Sequence, residues 1–172
     1  SGGTITADDQ ELPTAGAGAV IYYPQHPQPH HTWPARQELH AGWPGTNNQG
    51  ELWAIAMTCQ TIRQQQPNLP IIIVSDSQLA INTIQCTNVP GVPLRTLVHR
   101  TRDEVQLLKN ITPVRFLWCP GHENVPGNHA ADRLADKGKT SPHAWTLDEY
   151  NNRLHTNNFL HKRLLTSWHN IT

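Results

Sequence analysis

The sequence predicts an α/β domain with a five-stranded mixed sheet and helices packed on it. Three observations carry this expectation. Strand-like and helix-like segments follow one another in the order β-β-β-α-β-α-α-β-α. Ile71-Ile72-Ile73-Val74 is an unbroken β-branched run, the pattern of a central strand covered on both faces. Short links join the first three strands, as in an antiparallel meander, whereas helices separate the later ones, which should pair in parallel through right-handed crossovers.

Thr4-Ile5-Thr6-Ala7 opens the series and ends at Asp8-Asp9. In residues 15–23 small side chains precede β-branched and aromatic ones, which suits a strand pressed closely against its neighbours. A loop rich in Pro, Gln and His follows, then a third strand between residues 32 and 42. From Thr46 to Gln66 the period changes: Leu52, Ile55, Ala56, Cys59 and Ile62 recur at helical spacing, and Pro67 stops the helix. Residues 71–75 are the central strand and 77–85 a short helix. Pro90 and Pro93 break the chain before a second long helix marked by Leu94, Leu97, Val98, Val105 and Leu108. Residues 114–119 form the last strand, ended by Pro120-Gly121, and 127–139 a helix with Ala130, Ala131, Leu134 and Ala135 turned inward. Residues 1–141 make up this domain. Residues 142–172 are expected to be a helical extension carrying Leu147, Tyr150, Leu154, Leu160, Leu164 and Trp168.

Composition excludes several classes. The 172 residues carry 13 Lys plus Arg against 13 Asp plus Glu, so the formal net charge is zero, which argues against strong unspecific attraction to nucleic acid. No apolar run nears the roughly 20 residues of a membrane span, and no charged segment followed by an apolar one opens the chain as a secretory leader would. Three cysteines, widely spaced and odd in number, suit a reducing intracellular compartment, cytoplasm or nucleus. The histidines at 26, 30 and 31 lack the spacing of a zinc site.

The few acidic residues are placed tellingly. Asp76 ends the β-branched strand, where open α/β sheets put their sites. Asp8 ends the first strand, Glu51 lies in the first turns of the helix from Thr46, and Asp132 lies in the helix after Gly121-His122. Singly, Asp76 reads equally well as a helix N-cap and Glu51 as an ordinary first-turn Glu. No Lys or Arg neighbours Asp8, Glu51 or Asp76 in sequence. Carboxylates meeting without a cation from the chain require one from outside, and an oxygen-only set points to Mg²⁺ or Mn²⁺ over zinc.

The local contexts of these residues resemble a known family. Thr46-Asn47-Asn48-Gln49-Gly50-Glu51-Leu52, Ser75-Asp76-Ser77-Gln78 and the block from Gly121-His122 through Gly127-Asn128 to Ala131-Asp132 are similar to three motifs of type 1 ribonucleases H, and Ala17-Gly18-Ala19-Val20 to their second strand. The resemblance covers about residues 4 to 140, in order. The form Trp118-Cys119-Pro120-Gly121-His122 is closer to domains attached to retroelement or retroviral reverse transcriptases, which implies a polymerase partner and admits a virion location. One motif departs from the pattern: Ala7-Asp8-Asp9-Gln10 stands where the family has its first carboxylate, with Asp8 at the catalytic place and Asp9 where a small Gly is usual.

The resemblance implies cleavage of the RNA strand of RNA/DNA hybrids. Asp8, Glu51, Asp76 and Asp132 would hold two Mg²⁺ ions, with Mn²⁺ as substitute, and His122 would assist proton transfer and product release. Thr46 would contact the DNA phosphate, and Asn47, Asn48, Gly50 and Gln78 the minor groove; Asn47 or Asn48 could instead cap the helix. Arg95, Arg100, Arg102, Lys109 and Arg115 form at most a mild basic patch, or equally a solvated helix face, so weak and strongly salt-dependent substrate affinity is expected. The departure at Asp8-Asp9 leaves a catalytically inactive scaffold or connector domain as an alternative. A related transposase or integrase acting on DNA is disfavoured by the Asn-Asn-Gln-Gly-Glu and Gly-His blocks.

Overall fold

The computed structural model describes residues 14–24, 35–86, 92–121 and 125–141. The first strand expected at 4–7 and the C-terminal extension lie outside the described residues. The elements in chain order are β1 (Thr14–Tyr22), β2 (Arg36–Pro44), α1 (Asn47–Gln64), β3 (Ile71–Ser75), α2 (Gln78–Gln85), α3 (Val92–Lys109), β4 (Val114–Trp118) and α4 (Pro126–Gly138). All eight match elements expected from the sequence. The main boundary difference is α3, which starts at Val92 and takes Pro93 into its first turn. A proline there forfeits no helical hydrogen bond, so it starts the helix instead of breaking it.

Among the described residues the strands form two two-stranded sheets, not one five-stranded sheet. β1 and β2 pair antiparallel, with Ala17 opposite Ala41. β3 and β4 pair parallel, with Ile73 opposite Phe116. A cleft of about 850 Å³ lies between the two ladders, bordered by β1 on one side and β3 on the other.

Glycines set how closely the helices approach β1. A Cβ on Gly50 of α1 would lie 2.6 Å from the Gly16 carbonyl oxygen on one face of the strand. On the other face, a Cβ on Gly16 would lie 1.6 Å from the Ala135 carbonyl oxygen of α4, and one on Gly18 2.2 Å from that of Ala131. The hairpin is thus sandwiched between α1 and α4, with α3 packed on α1. The core joins Ala15, Ala17, Trp43, Leu52, Trp53, Cys59, Leu97, Val98 and Leu108, and the Trp43 and Trp53 rings are 5.4 Å apart. Burial pushes the Cys59 thiol up to about 12, with the charge of Glu104 adding to it.

The central strand is not covered on both faces. Ile71 and Ile73 face the core, but Ile72 and Val74 are 60% and 54% exposed, and Leu117 beside Val74 on β4 is 51% exposed. The reason is the position of α4, which packs on β1 and β2 and not across β3 and β4.

The basic stretch of α3 is largely absorbed by the fold. Arg102 donates to the Thr83 carbonyl at 2.6 Å and to that of Cys86, closing the C-terminal end of α2. The Arg100 guanidinium stacks on Trp53, 4.9 Å from the ring centroid, and Arg95 Nε is buried. Arg100 and Arg102 thus serve as struts, while Lys109 and Arg115 remain exposed.

Candidate active site

Local folding rules place three carboxylates at one end of the cleft. Thr46 caps α1 in extended backbone and accepts from the Gln49 amide, while the Gln49 side chain accepts from the Thr46 backbone N–H at 3.0 Å. This reciprocal capping box fixes the first turn of α1, and Gln49 also accepts from the Trp43 indole. Glu51 lies just past that turn, which holds no acidic residue, so it is not the ordinary first-turn Glu that the sequence allowed. Asp76 is the first residue past β3, and Ser77 caps α2 by accepting from the Ala80 amide at 3.1 Å. Asp132 sits four residues after Asn128 on α4, on the same helix face.

Electrostatics register the convergence. Burial pushes the Glu51 carboxyl above its ordinary range; a hydrogen bond with Ser77 opposes this, and the charges of Asp76 and Asp132 push it up further. Burial also raises the Cys119 thiol, and the same two aspartates add to it. Among the described residues no Lys or Arg forms an ion pair with Glu51 or Asp76. Negative charge therefore accumulates at this end of the cleft, which Asn47, Glu51, Asp76, Asn128 and Asp132 line.

Asp76 is held from several sides. Asn128 Nδ2 donates to its Oδ2 at 3.1 Å, and the Trp118 indole donates to its backbone carbonyl at 3.0 Å. A side chain on Gly121 would press within 3.0 Å of the same Oδ2. The N-capping role open to Asp76 falls to Ser77.

Of the other expected site residues, Thr46, Asn47, Asn48 and Gln78 are exposed. Thr46 is the cap, so Asn47 and Asn48 are not, and their amides face solvent. Gln78 bonds Asn82 along its own helix. Gly50 is buried against Gly16, so its missing side chain allows close helix-to-strand packing, and it also lines the cleft. Asp8, Asp9 and His122 lie outside the described residues. Sequence reading missed Ser77 and Asn128 as partners of the acids. Both stand inside the quoted motifs, but only contacts across 26 and 52 positions reveal their role.

The donor set is all oxygen and suits a hard divalent cation. Among the described residues, though, no three His, Cys, Asp or Glu side chains stand close enough together to hold a metal ion as placed. No described helix is long and apolar enough to cross a membrane.

An α/β domain with Asp76 at the end of β3 and Glu51 and Asp132 on helices beside it has the form of the ribonuclease H kind. The RNase H family model matches residues 7–140, and the chain belongs to that family. Solved structures agree on the fold. LC9-RNase H1, described as a type 1 RNase H with the type 2 active-site motif, superposes with a TM-score of 0.59 at 17% identity, over 78% of this chain and 67% of that one. The N-terminal RNase H domain of rv2228c from Mycobacterium tuberculosis, a fusion with maltose-binding protein, gives 0.53 at 16% identity, over 73% and 91%. No curated protein matches the chain.

Proposed function

We propose that this domain is a type 1 ribonuclease H that hydrolyses the RNA strand of RNA/DNA hybrids with divalent metal, within a reverse transcription machinery. The observation that carries the reading is the convergence of Asp76 and Asp132 on Glu51, with no Lys or Arg among the described residues pairing Glu51 or Asp76. Carboxylates gathered in this way repel a phosphodiester, and desolvation adds a cost at Glu51. Both problems are relieved when they hold a divalent ion.

Asp76, Glu51 and Asp132 would hold the metal, joined by Asp8. When bound there, divalent ions such as two Mg²⁺, or Mn²⁺ in their place, would lower the pKa of the attacking water and offset charge on the phosphate. The chain's own residues do the rest. Asp76 presents Oδ1, which accepts no hydrogen bond among the described residues, while Asn128 occupies Oδ2. Ser77 steadies Glu51. Asn47, Asn48 and Gln78 offer exposed amides at the rim for the hybrid's minor groove, where the 2′-hydroxyl distinguishes RNA. His122 serves proton transfer. The motif form around Trp118 supports a reverse transcriptase polymerase as covalent or bound partner, and three free cysteines suit an intracellular compartment.

The second reading, an inactive scaffold domain, is favoured by one observation: the described acids are not at metal-binding spacing. A labelled hybrid incubated with Mg²⁺ separates the two. Cleavage of the RNA strand alone, abolished by Asp76→Asn, establishes the enzyme. A folded chain that cuts no hybrid in Mg²⁺ or Mn²⁺ is the scaffold.

A further inference from the structure

α4 begins without a side-chain cap: Val125 occupies the N-cap position and Pro126 the first turn. Asn128, three residues after the cap, is placed where a polar side chain commonly reaches back to the cap backbone. It does not do so. Its amide spans to Oδ2 of Asp76 at 3.1 Å, a residue 52 positions earlier. The direction of the bond is fixed by chemistry, because an ionised carboxylate only accepts and the amide nitrogen only donates. Gly121 leaves room for this contact, since any side chain there would crowd the same oxygen.

From this geometry we infer that Asn128 is a positioning residue for Asp76, orienting its carboxylate so that Oδ1 faces the site. The inference rests on the proposed metal-holding role of Asp76. Being neutral, Asn128 fixes the carboxylate without cancelling its charge, whereas Lys or Arg at the same place would compete with a cation. It also ties α4 to the end of β3, so that Asp132, one turn further on the same face of α4, is brought toward Asp76 by the same bond.

The test is Mn²⁺ binding to the full chain by titration calorimetry without nucleic acid, for the wild type, Asn128→Ala and Asn128→Gln. Alanine is the best helix former, and circular dichroism with Tm checks the fold. Removing a group that orients a metal ligand costs about 10-fold or more in metal affinity. Asn128→Ala is expected to bind Mn²⁺ roughly 10-fold more weakly than wild type and to lower kcat on hybrid with KM unchanged. Asn128→Gln, which keeps the donor, is expected to recover part of both. Unchanged Mn²⁺ affinity in Asn128→Ala, whatever its Tm, overturns the inference while leaving hybrid cleavage by the wild type standing. If Asn128→Ala does not fold, Gln affinity as low as that of Asp76→Asn overturns it. Wild type that binds no Mn²⁺ at all overturns both this inference and the metal-dependent reading beneath it.

Discussion

Glu51 on α1 and Asp76 at the end of β3 stand close enough that the charge of Asp76 adds to burial in raising the Glu51 pKa, although 25 residues separate them. Neither has an ion-pair partner among the described residues, so the folded protein carries an electrostatic cost at neutral pH.

That cost predicts a stabilising mutation that destroys function. The Glu51 carboxyl is raised in the folded state above its ordinary 4.5. Between the ordinary and the raised value, the folded chain keeps a proton that the unfolded chain has released. Stability therefore falls as pH rises through that window and stays lower above it. Glu51→Gln removes this dependence. Its Tm should exceed that of wild type at pH 7 and the gain should vanish near pH 4, while hybrid cleavage is lost. Mg²⁺ should stabilise the wild type, by about 2.7 kcal/mol at a hundredfold excess over Kd, and the variant much less. Thermal melts across pH, with and without Mg²⁺, check each part.

Gly16 tests how tightly α4 holds the hairpin. A methyl group there would meet the Ala135 backbone carbonyl at 1.6 Å, and backbone on both sides cannot yield as a flexible side chain would. Gly16→Ala should cost at least about 3 kcal/mol, beyond ordinary overpacking. At the scale of this chain that lowers Tm by roughly 10 °C. Denaturation followed by circular dichroism measures it.

Asn47 and Asn48 are exposed and free of the capping role, so truncating them should separate binding from stability. Asn47→Ala and Asn48→Ala should each change stability by no more than about 0.5 kcal/mol and raise KM for hybrid. Thr46→Ala should instead lose about 1 kcal/mol of stability through the cap. Steady-state kinetics beside urea titration distinguish the two kinds of residue.

Arg100 and Arg102 are engaged within the fold, while Lys109 and Arg115 stay exposed for phosphate contact. Hybrid affinity of the isolated chain should be weak and fall strongly with salt, with a slope of about 0.9 per phosphate neutralised on a B-form duplex. Arg102→Ala should act on stability more than on that slope, because its partners are the carbonyls ending α2. Binding isotherms at several salt concentrations give the slope directly.

Much of the architecture is written locally along the chain. The β-branched run 71–74, the helical period after Thr46 and the small-residue strand each specify an element without outside help, and all eight described elements lie where the pattern places them. Glu51, Asp76 and Asp132 also stand out from sequence, because acids are few and these three lie inside the family-like motifs. What local pattern cannot encode is which surfaces meet. The β-branched run reads as doubly covered, yet only packing decides that α4 lies on β1 and β2 and leaves Ile72 and Val74 in water. Gly50 lies inside a motif, but only the fold shows that it packs against Gly16. The arginines of α3 read as charge and become struts for α2 and Trp53. Asn128 and Ser77 gain their meaning from the acids they touch. Secondary structure follows from periodicity and capping within a few residues, whereas contacts between distant segments depend on how whole elements fit together, and only the tertiary structure fixes that fit.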